Sequence, residues 1–166
     1  CNHMKYKLAI VFLHIALVCF TQDADSIKVT HEIDSLVQTT KIHLGKSEFD
    51  EAIQTILIAE KKILEKFGKE NANYGNCCNI HGVALLNKHN FAESEKYLLE
   101  AKEIRAKVLG KEDTKYTDVL DNLGVLYMNT GLFDKAEKQY LEAKAIREKT
   151  VGKEHIAYSK TLTNLG

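Results

Sequence analysis

The sequence repeats itself at a fixed interval of 42 residues, and this period constrains the fold more than any other feature. Gly68, Gly110 and Gly152 mark the interval, and each is followed by Lys-Glu. Over residues 82–124, 21 of 43 residues are identical to the residue 42 positions later, whereas unrelated chains of ordinary composition would share roughly 6%. Units of this length bury a core only by stacking on their neighbours. We therefore expect an array of stacked units and not a closed globule.

Each unit has the pattern of two amphipathic helices joined by a short turn. In the clearest copy the first helix is predicted over about 116–129, where apolar residues recur at helical spacing. The second helix follows the turn and has Lys and Glu opposite its apolar face. Gly152 is predicted to end that helix in a left-handed conformation. Small residues are predicted to let the two helices approach closely, at Gly124, Ala136 and Ala143.

This pattern resembles the tetratricopeptide repeat, and more closely its longer, kinesin light chain-like class. The resemblance covers roughly 26–166 and includes the phrase Asp121-Asn122-Leu123-Gly124. It implies an all-α protein, an α-α superhelix of antiparallel helix pairs. It also implies a concave surface, lined by the first helix of each pair, that binds a peptide or protein. The signature positions are Leu120, Leu123, Gly124, Tyr127, Ala136, Tyr140 and Ala143.

The array divides into a degenerate repeat at 26–67, repeats at 68–109 and 110–151, and a partial repeat at 152–166. Terminal repeats are expected to be atypical because they cap the stack. The partial repeat has the residues of a first helix but not of a second. We therefore expect the sequence to be part of a longer protein.

Residues 4–22 differ from the array and are typical of a secretory signal peptide. Lysines precede an apolar run that is too short for the roughly 20 residues of a membrane-spanning helix. We therefore expect export to a periplasmic, secreted or membrane-anchored location, with membrane contact only through this leader. The cleavage site is poor, so an uncleaved anchor and lipid attachment at Cys19 stay open. Residues 1–3 lie upstream of the expected start at Met4.

The charge balance argues against a nucleic-acid partner. The 23 basic residues equal the 23 acidic ones, so there is no net field to attract a phosphate backbone. The histidines and cysteines show no recurring metal-ligand spacing, and we expect no metal or cofactor. Cys77 and Cys78 are adjacent on a helix, where their side chains point about 100° apart, so they cannot pair in a disulfide.

Two patterns could be taken for catalytic motifs. Cys77 and His81 are one helical turn apart, as a nucleophile and its base could be, but His81 occupies a core position and no third residue that orients it can be named. Packing is the favoured explanation. The stretch 45–47 ends like a phosphate loop but lacks the first glycine and the preceding strand, so we predict a turn between helices. We expect no enzymatic activity in this sequence.

The ligand surface is expected on the polar face of the first helices. Asparagine both donates and accepts hydrogen bonds, so a row of such residues could bind a peptide main chain with little regard for its side chains. A hydrated surface without a dedicated ligand is the alternative. Lys160 and Thr163 continue the row in the partial repeat. The predicted groove residues are Asn76, Asn79, Val83, Asn87, Asp118, Asp121, Val125 and Asn129.

Two functional hypotheses follow from the resemblance. The first is a scaffold that holds a protein or peptide on its concave surface. The alternative is the recruiting or sensory part of a larger enzyme or signalling protein, because signal-bearing arrays that resemble this one are commonly joined to caspase-like peptidase or histidine-kinase modules. Self-association through the unpaired last helix is a third interpretation.

Overall fold

The computed structural model describes residues 25–165, and all regular structure in that range is helical. Helices adjacent in sequence pack antiparallel on one another, which confirms the predicted all-α superhelix of helix pairs. The first helix, α1, covers 25–45. The others are α2 (Phe49–Phe67), α3 (Ala72–Asn87), α4 (Phe91–Val108), α5 (Thr114–Asn129), α6 (Phe133–Thr150) and α7 (Ile156–Leu165).

The predicted leader at 4–22, the upstream residues 1–3 and the lipid attachment at Cys19 all lie outside the described residues. Within 25–165, none of the helices has both the length and the apolar character that crossing a bilayer requires.

The glycines that mark the period end the second helix of each pair. Gly68, Gly110 and Gly152 have φ values of 77°, 88° and 85°, a left-handed conformation that glycine adopts at little cost. Their N–H groups donate to the carbonyls five residues earlier, at 3.1, 3.1 and 3.0 Å. The predicted role of Gly152 is confirmed, and the same turn occurs at all three positions.

A side-chain cap begins α3, α5 and α7, again at intervals of 42 residues. Asn71 accepts a hydrogen bond from the Asn73 N–H at 2.8 Å, and Asp113 accepts one from the Lys115 N–H at 2.7 Å. His155 Nδ1 accepts from the Ala157 N–H at 3.1 Å. Each cap satisfies a backbone donor that the helix itself leaves without a partner.

The two helices of a pair approach closely because a glycine on the first faces a large side chain on the second. A Cβ atom added to Gly124 would lie 2.3 Å from the Tyr140 ring, and one added to Gly82 would lie 2.7 Å from Leu98. Such distances are far inside van der Waals contact. The prediction that small residues permit close packing is confirmed, and the aromatic or leucine side chain fills the space.

Most buried apolar residues of the pairs form one shared core, beside a smaller cluster of Tyr116, Leu120 and Ala143. The main cluster of buried apolar residues extends from Ile33 on α1 to Tyr140 on α6. Surface pairs recur with the period but are weak, since Lys107–Glu70 and Lys149–Glu112 join largely exposed side chains. Stacking of apolar faces therefore holds the array together, as expected for repeats that cannot bury both faces alone.

The Gly124–Tyr140 contact gives a direct test of this packing. We expect Gly124→Ala to lower the free energy of unfolding by about 1 to 3 kcal/mol, because the new methyl group must displace the Tyr140 ring. The matched control is Gly45→Ala in α1, where nothing lies within 4 Å of the added Cβ. That variant should be as stable as the wild type or up to about 1 kcal/mol more stable. Urea unfolding followed by circular dichroism measures both, and equal stabilities would contradict the assignment.

Candidate partner-binding face

The predicted groove residues lie on helices that are side by side. The first helices of successive pairs touch, α3 with α5 and α5 with α7. Asn122 on α5 donates through Nδ2 to the side-chain oxygen of Asn79 on α3 at 2.9 Å. The face is therefore continuous from one repeat to the next. We call the eight predicted residues on α3 and α5 the polar row.

Seven residues of the polar row are accessible to solvent. Asn87, Asp118 and Asn129 are exposed, and Asp118 is 56% exposed at its side chain. The half-buried residues are Asn76, Asn79, Val83 and Val125. Asn122 was not predicted as part of this face, although its amide joins the two helices. Its only sequence signal is its place within the repeated Asn-Leu-Gly phrase, at 122–124 and 164–166.

The prediction that Asp121 lines the groove is wrong, because this residue is buried and is not part of the ligand-accessible face. It is 2% exposed, and its Oδ2 accepts from Arg147 Nη1 at 2.6 Å. The Thr161 hydroxyl lies 3.4 Å from its other oxygen. Burial raises the pKa of the Asp121 carboxyl, and the hydrogen bond from Arg147 opposes that rise. The carboxylate is turned inward because a buried guanidinium requires a counter-charge.

Arg147 joins three helices through a fully buried side chain that is 1% exposed. Its Nε donates to Thr117 Oγ1 at 3.1 Å. Nη1 also donates to the Ala157 carbonyl at 3.2 Å, and Nη2 donates to Asp118 Oδ1 at 2.9 Å. Because the partners come from α5 and α7 while the arginine is on α6, this arginine network connects two successive repeats.

Arg105 is the equivalent arginine one repeat earlier, and it has fewer hydrogen-bond partners. It is 2% exposed, donates to the Lys115 carbonyl and donates to Asn76 Oδ1 at 3.1 Å. Its Nε has no hydrogen-bond partner. The residue equivalent to Thr117 is Gly75, which has no hydroxyl to offer, and Asn79 replaces the carboxylate of Asp121. Burial lowers the pKa of the Arg105 guanidinium, with partial compensation from Asp118 and Asp113.

The networks leave the polar row with mostly neutral hydrogen-bonding groups. Asp121 is buried with Arg147, and Asp118 shares that same guanidinium. Asn87 and Asn129 are exposed, and Val83 and Val125 are half-buried between them and the helix interface. The face therefore offers amides and small apolar contacts, a combination that suits a peptide backbone.

The surroundings of Cys77 and His81 favour packing over catalysis. Burial raises the pKa of the Cys77 thiol to about 12, so the thiolate that a nucleophile needs is disfavoured. His81 Nδ1 is instead 3.0 Å from Glu60 Oε1 on α2, and its ring lies 3.9 Å from that of Tyr97. Glu60 is the orienting residue that the sequence did not reveal, because it comes from the preceding repeat. The structure supports packing as the role of this cluster.

The remaining candidates from the sequence are the phosphate-loop-like stretch at 45–47 and the potential metal ligands. Residues 46–47 form the turn that ends α1, in agreement with the helix-turn prediction for 45–47. Within 25–165, no group of three or more His, Cys, Asp or Glu side chains has the arrangement of a metal site.

Helix pairs at a fixed period, stacked with their first helices side by side, define an α-α solenoid of the repeat class. A family model described as tetratricopeptide repeat matches residues 76–114 and 117–157. Residues 76–157 therefore consist of tetratricopeptide repeats of the kinesin light chain type. No catalytic family is detected in the chain.

Among solved structures, the chain is similar to the crystal structure of BtubC (BKLC) from P. vanneervenii, with a TM-score of 0.72 and 23% sequence identity. The match covers 80% of this chain and 53% of that one, so the chain spans about half the length of BtubC. At this identity the likeness shows the fold alone. No curated protein matches the chain.

The two carboxylates that share Arg147 allow a matched test of the arginine network. We expect Asp121→Asn to lower the free energy of unfolding by about 3 kcal/mol, because the buried guanidinium loses its enclosed counter-charge. Asp118→Asn makes the same chemical change on a side chain that is 56% exposed and should cost less than about 1 kcal/mol. Urea unfolding of both variants measures the difference. Equal losses of unfolding free energy would show that the burial of Asp121 does not determine its contribution to stability.

At Arg105 a carboxylate can be added, which is the reverse of removing one from Arg147. Asn79→Asp places a carboxylate at the position that Asp121 occupies one repeat later. We expect the free energy of unfolding to rise by about 1 to 2 kcal/mol, because the buried guanidinium gains a charged acceptor. The effect should disappear in an Arg105→Met background, measured by the same unfolding assay. A gain that persists without Arg105 would refute the pairing.

Proposed function

We propose that this protein is a scaffold that binds a peptide or protein partner along the polar row. Tetratricopeptide repeat domains generally mediate protein–protein interaction, which supports the class of function. The observation that carries the proposal is the hydrogen bond of 2.9 Å between Asn122 and Asn79, because it makes the polar faces of α3 and α5 one surface.

An extended peptide suits the chemistry of this surface. A peptide main chain presents N–H and C=O groups in alternation, and an asparagine amide can pair with either. Asn87 and Asn129 occupy equivalent positions in successive repeats and are both exposed. Val83 and Val125 lie one helical turn earlier and are half-buried, so they offer apolar contact beside each amide. Main-chain hydrogen bonds would supply affinity, and contacts with the valines would select side chains.

Charge plays a small part in this mode of recognition. The chain has equal numbers of acidic and basic residues, and Asp118 and Asp121 share the guanidinium of Arg147. Long-range steering of a charged partner is therefore weak. Binding should depend on shape and hydrogen bonding, with little dependence on ionic strength.

The test removes the two exposed amides, of which Asn129 also donates through Nδ2 to the Val125 carbonyl at 2.8 Å, and leaves the folded structure intact. Peptides that bind the wild-type chain are first selected from a displayed random library, and their affinities are measured with purified peptide. We expect the double variant Asn87→Ala, Asn129→Ala to bind them about tenfold more weakly, because two hydrogen bonds to the main chain are lost. Both side chains are exposed, so thermal unfolding should be nearly unchanged.

The matched control is the double variant Asn90→Ala, Lys138→Ala, which changes two exposed residues away from the polar row. It should bind the selected peptides like the wild type. If the control weakens binding as much as the Asn87 and Asn129 variant does, or if neither variant has any effect, the polar row is not the binding surface.

A further inference from the structure

The two amides that join α3 to α5 have hydrogen-bonding capacity that the protein does not use. Asn122 and Asn79 are connected by a single hydrogen bond, of 2.9 Å from Nδ2 of Asn122 to Oδ1 of Asn79. Among the residues that the structure describes, Asn79 Nδ2 and Asn122 Oδ1 have no hydrogen-bond partner, and neither atom is enclosed by the protein. One donor and one acceptor of this amide pair are therefore open to a ligand.

Packing alone does not require amides at this place between the first helices. One repeat earlier the equivalent residues are Val37 on α1 and Ile80 on α3, which are both 7% exposed and belong to the main core cluster. One repeat later they are Asp121 and Asn164, and Asp121 is bonded to Arg147. In the described part of the chain, an amide pair thus occurs at these positions only between α3 and α5.

A third amide of the right geometry closes a ring with this pair. It accepts a hydrogen bond from Asn79 Nδ2 and donates one to Asn122 Oδ1, and the bond already present completes the ring. A main-chain peptide group cannot do this, because its trans arrangement puts the N–H and the C=O on opposite sides. A side-chain amide carries one N–H on the same side as its oxygen.

Charged side chains satisfy only half of the pair. A lysine or arginine has donors but no acceptor, so Asn79 Nδ2 would stay without a partner. An ionised carboxylate has acceptors but no donor, so Asn122 Oδ1 would face another oxygen. Covering either atom without pairing it costs its lost contact with water. The chemistry of the pair therefore selects a neutral side-chain amide.

We propose that the Asn79–Asn122 pair binds the side-chain amide of a glutamine in the partner segment. This inference rests on the proposed function, and it adds one point of side-chain selection to a row that otherwise contacts the main chain. Val83 and Val125 lie about one turn further along α3 and α5 and are half-buried. They contact the methylenes of the glutamine, which has one more than asparagine and so gains more from this contact.

The experiment begins with peptides selected on the wild-type chain from a displayed random library. Their sequences should share a glutamine at one fixed position. Isothermal calorimetry then compares a synthetic selected peptide with two derivatives at that position. We expect methionine, which has a similar length, to weaken binding about tenfold, because both hydrogen bonds of the amide are lost. Glutamate keeps the shape but has no donor, and it should weaken binding at least as much.

Two protein variants test the assignment to this pair. Asn79→Val with Asn122→Ile rebuilds the apolar pair that the preceding repeat already contains, so the fold should be kept, as thermal unfolding can verify. The glutamine and methionine peptides should bind this variant with affinities within about threefold of each other. The single variant Asn122→Ala removes the open acceptor from a half-buried position and should reduce the preference in the same way.

The matched control is Asn87→Ala with Asn129→Ala, which removes two other amides of the same face. It should weaken the glutamine and methionine peptides equally and leave the preference about tenfold. The inference is overturned if the selected peptides share no glutamine, if methionine binds equally well, or if the preference persists in both variants at the pair. In those cases the proposed function still stands as long as the control variant weakens binding. A library that yields no binding peptide overturns both.

Discussion

The hydrogen bonds of the buried Arg147 guanidinium determine both how the last repeats stack and which groups the polar row exposes. Removing an arginine from water costs several kcal/mol unless its donors are satisfied, and here they reach two carboxylates, two threonine hydroxyls and a backbone carbonyl. These partners belong to α5 and α7, so the side chain fixes one repeat against the next. It also pairs with both aspartates of the predicted face. The neutrality of the polar row therefore follows from how the array is held together.

The three positions equivalent to Arg147 show how the interfaces between repeats differ. The residue is Ile63 in the first repeat, Arg105 in the second and Arg147 in the third. Ile63 is fully buried and needs no polar partner, and a buried Glu60–His81 pair joins that repeat to the next. Arg105 has fewer partners than Arg147 and retains an unpaired Nε. The same position of the repeat thus holds a buried isoleucine, an arginine with one unpaired nitrogen, and an arginine whose three side-chain nitrogens all donate hydrogen bonds.

Sequence predicted the period, the helix pairs and their turns because these depend on local signals that recur. Glycine at 42-residue intervals has a left-handed conformation in each copy, and small residues lie where the helices touch. The side of the helix on which a charged residue lies was harder to predict. Asp121 falls at an outward offset on a helical wheel, yet a long arginine on another helix draws it inward. Arg147 itself follows a lysine-rich stretch and resembles a solvated residue, although its recurrence at Arg105 was a signal for burial.

These polar networks also determine which groups a ligand meets on the polar row. Beneath the polar row, Arg105 and Arg147 direct their hydrogen bonds inward to α3, α5 and α7, so a ligand on the row meets amides and valines and not the arginines. A charged group that is satisfied internally cannot discriminate among ligands. Tolerance of side-chain chemistry is therefore expected along the polar row, apart from the Asn79–Asn122 pair.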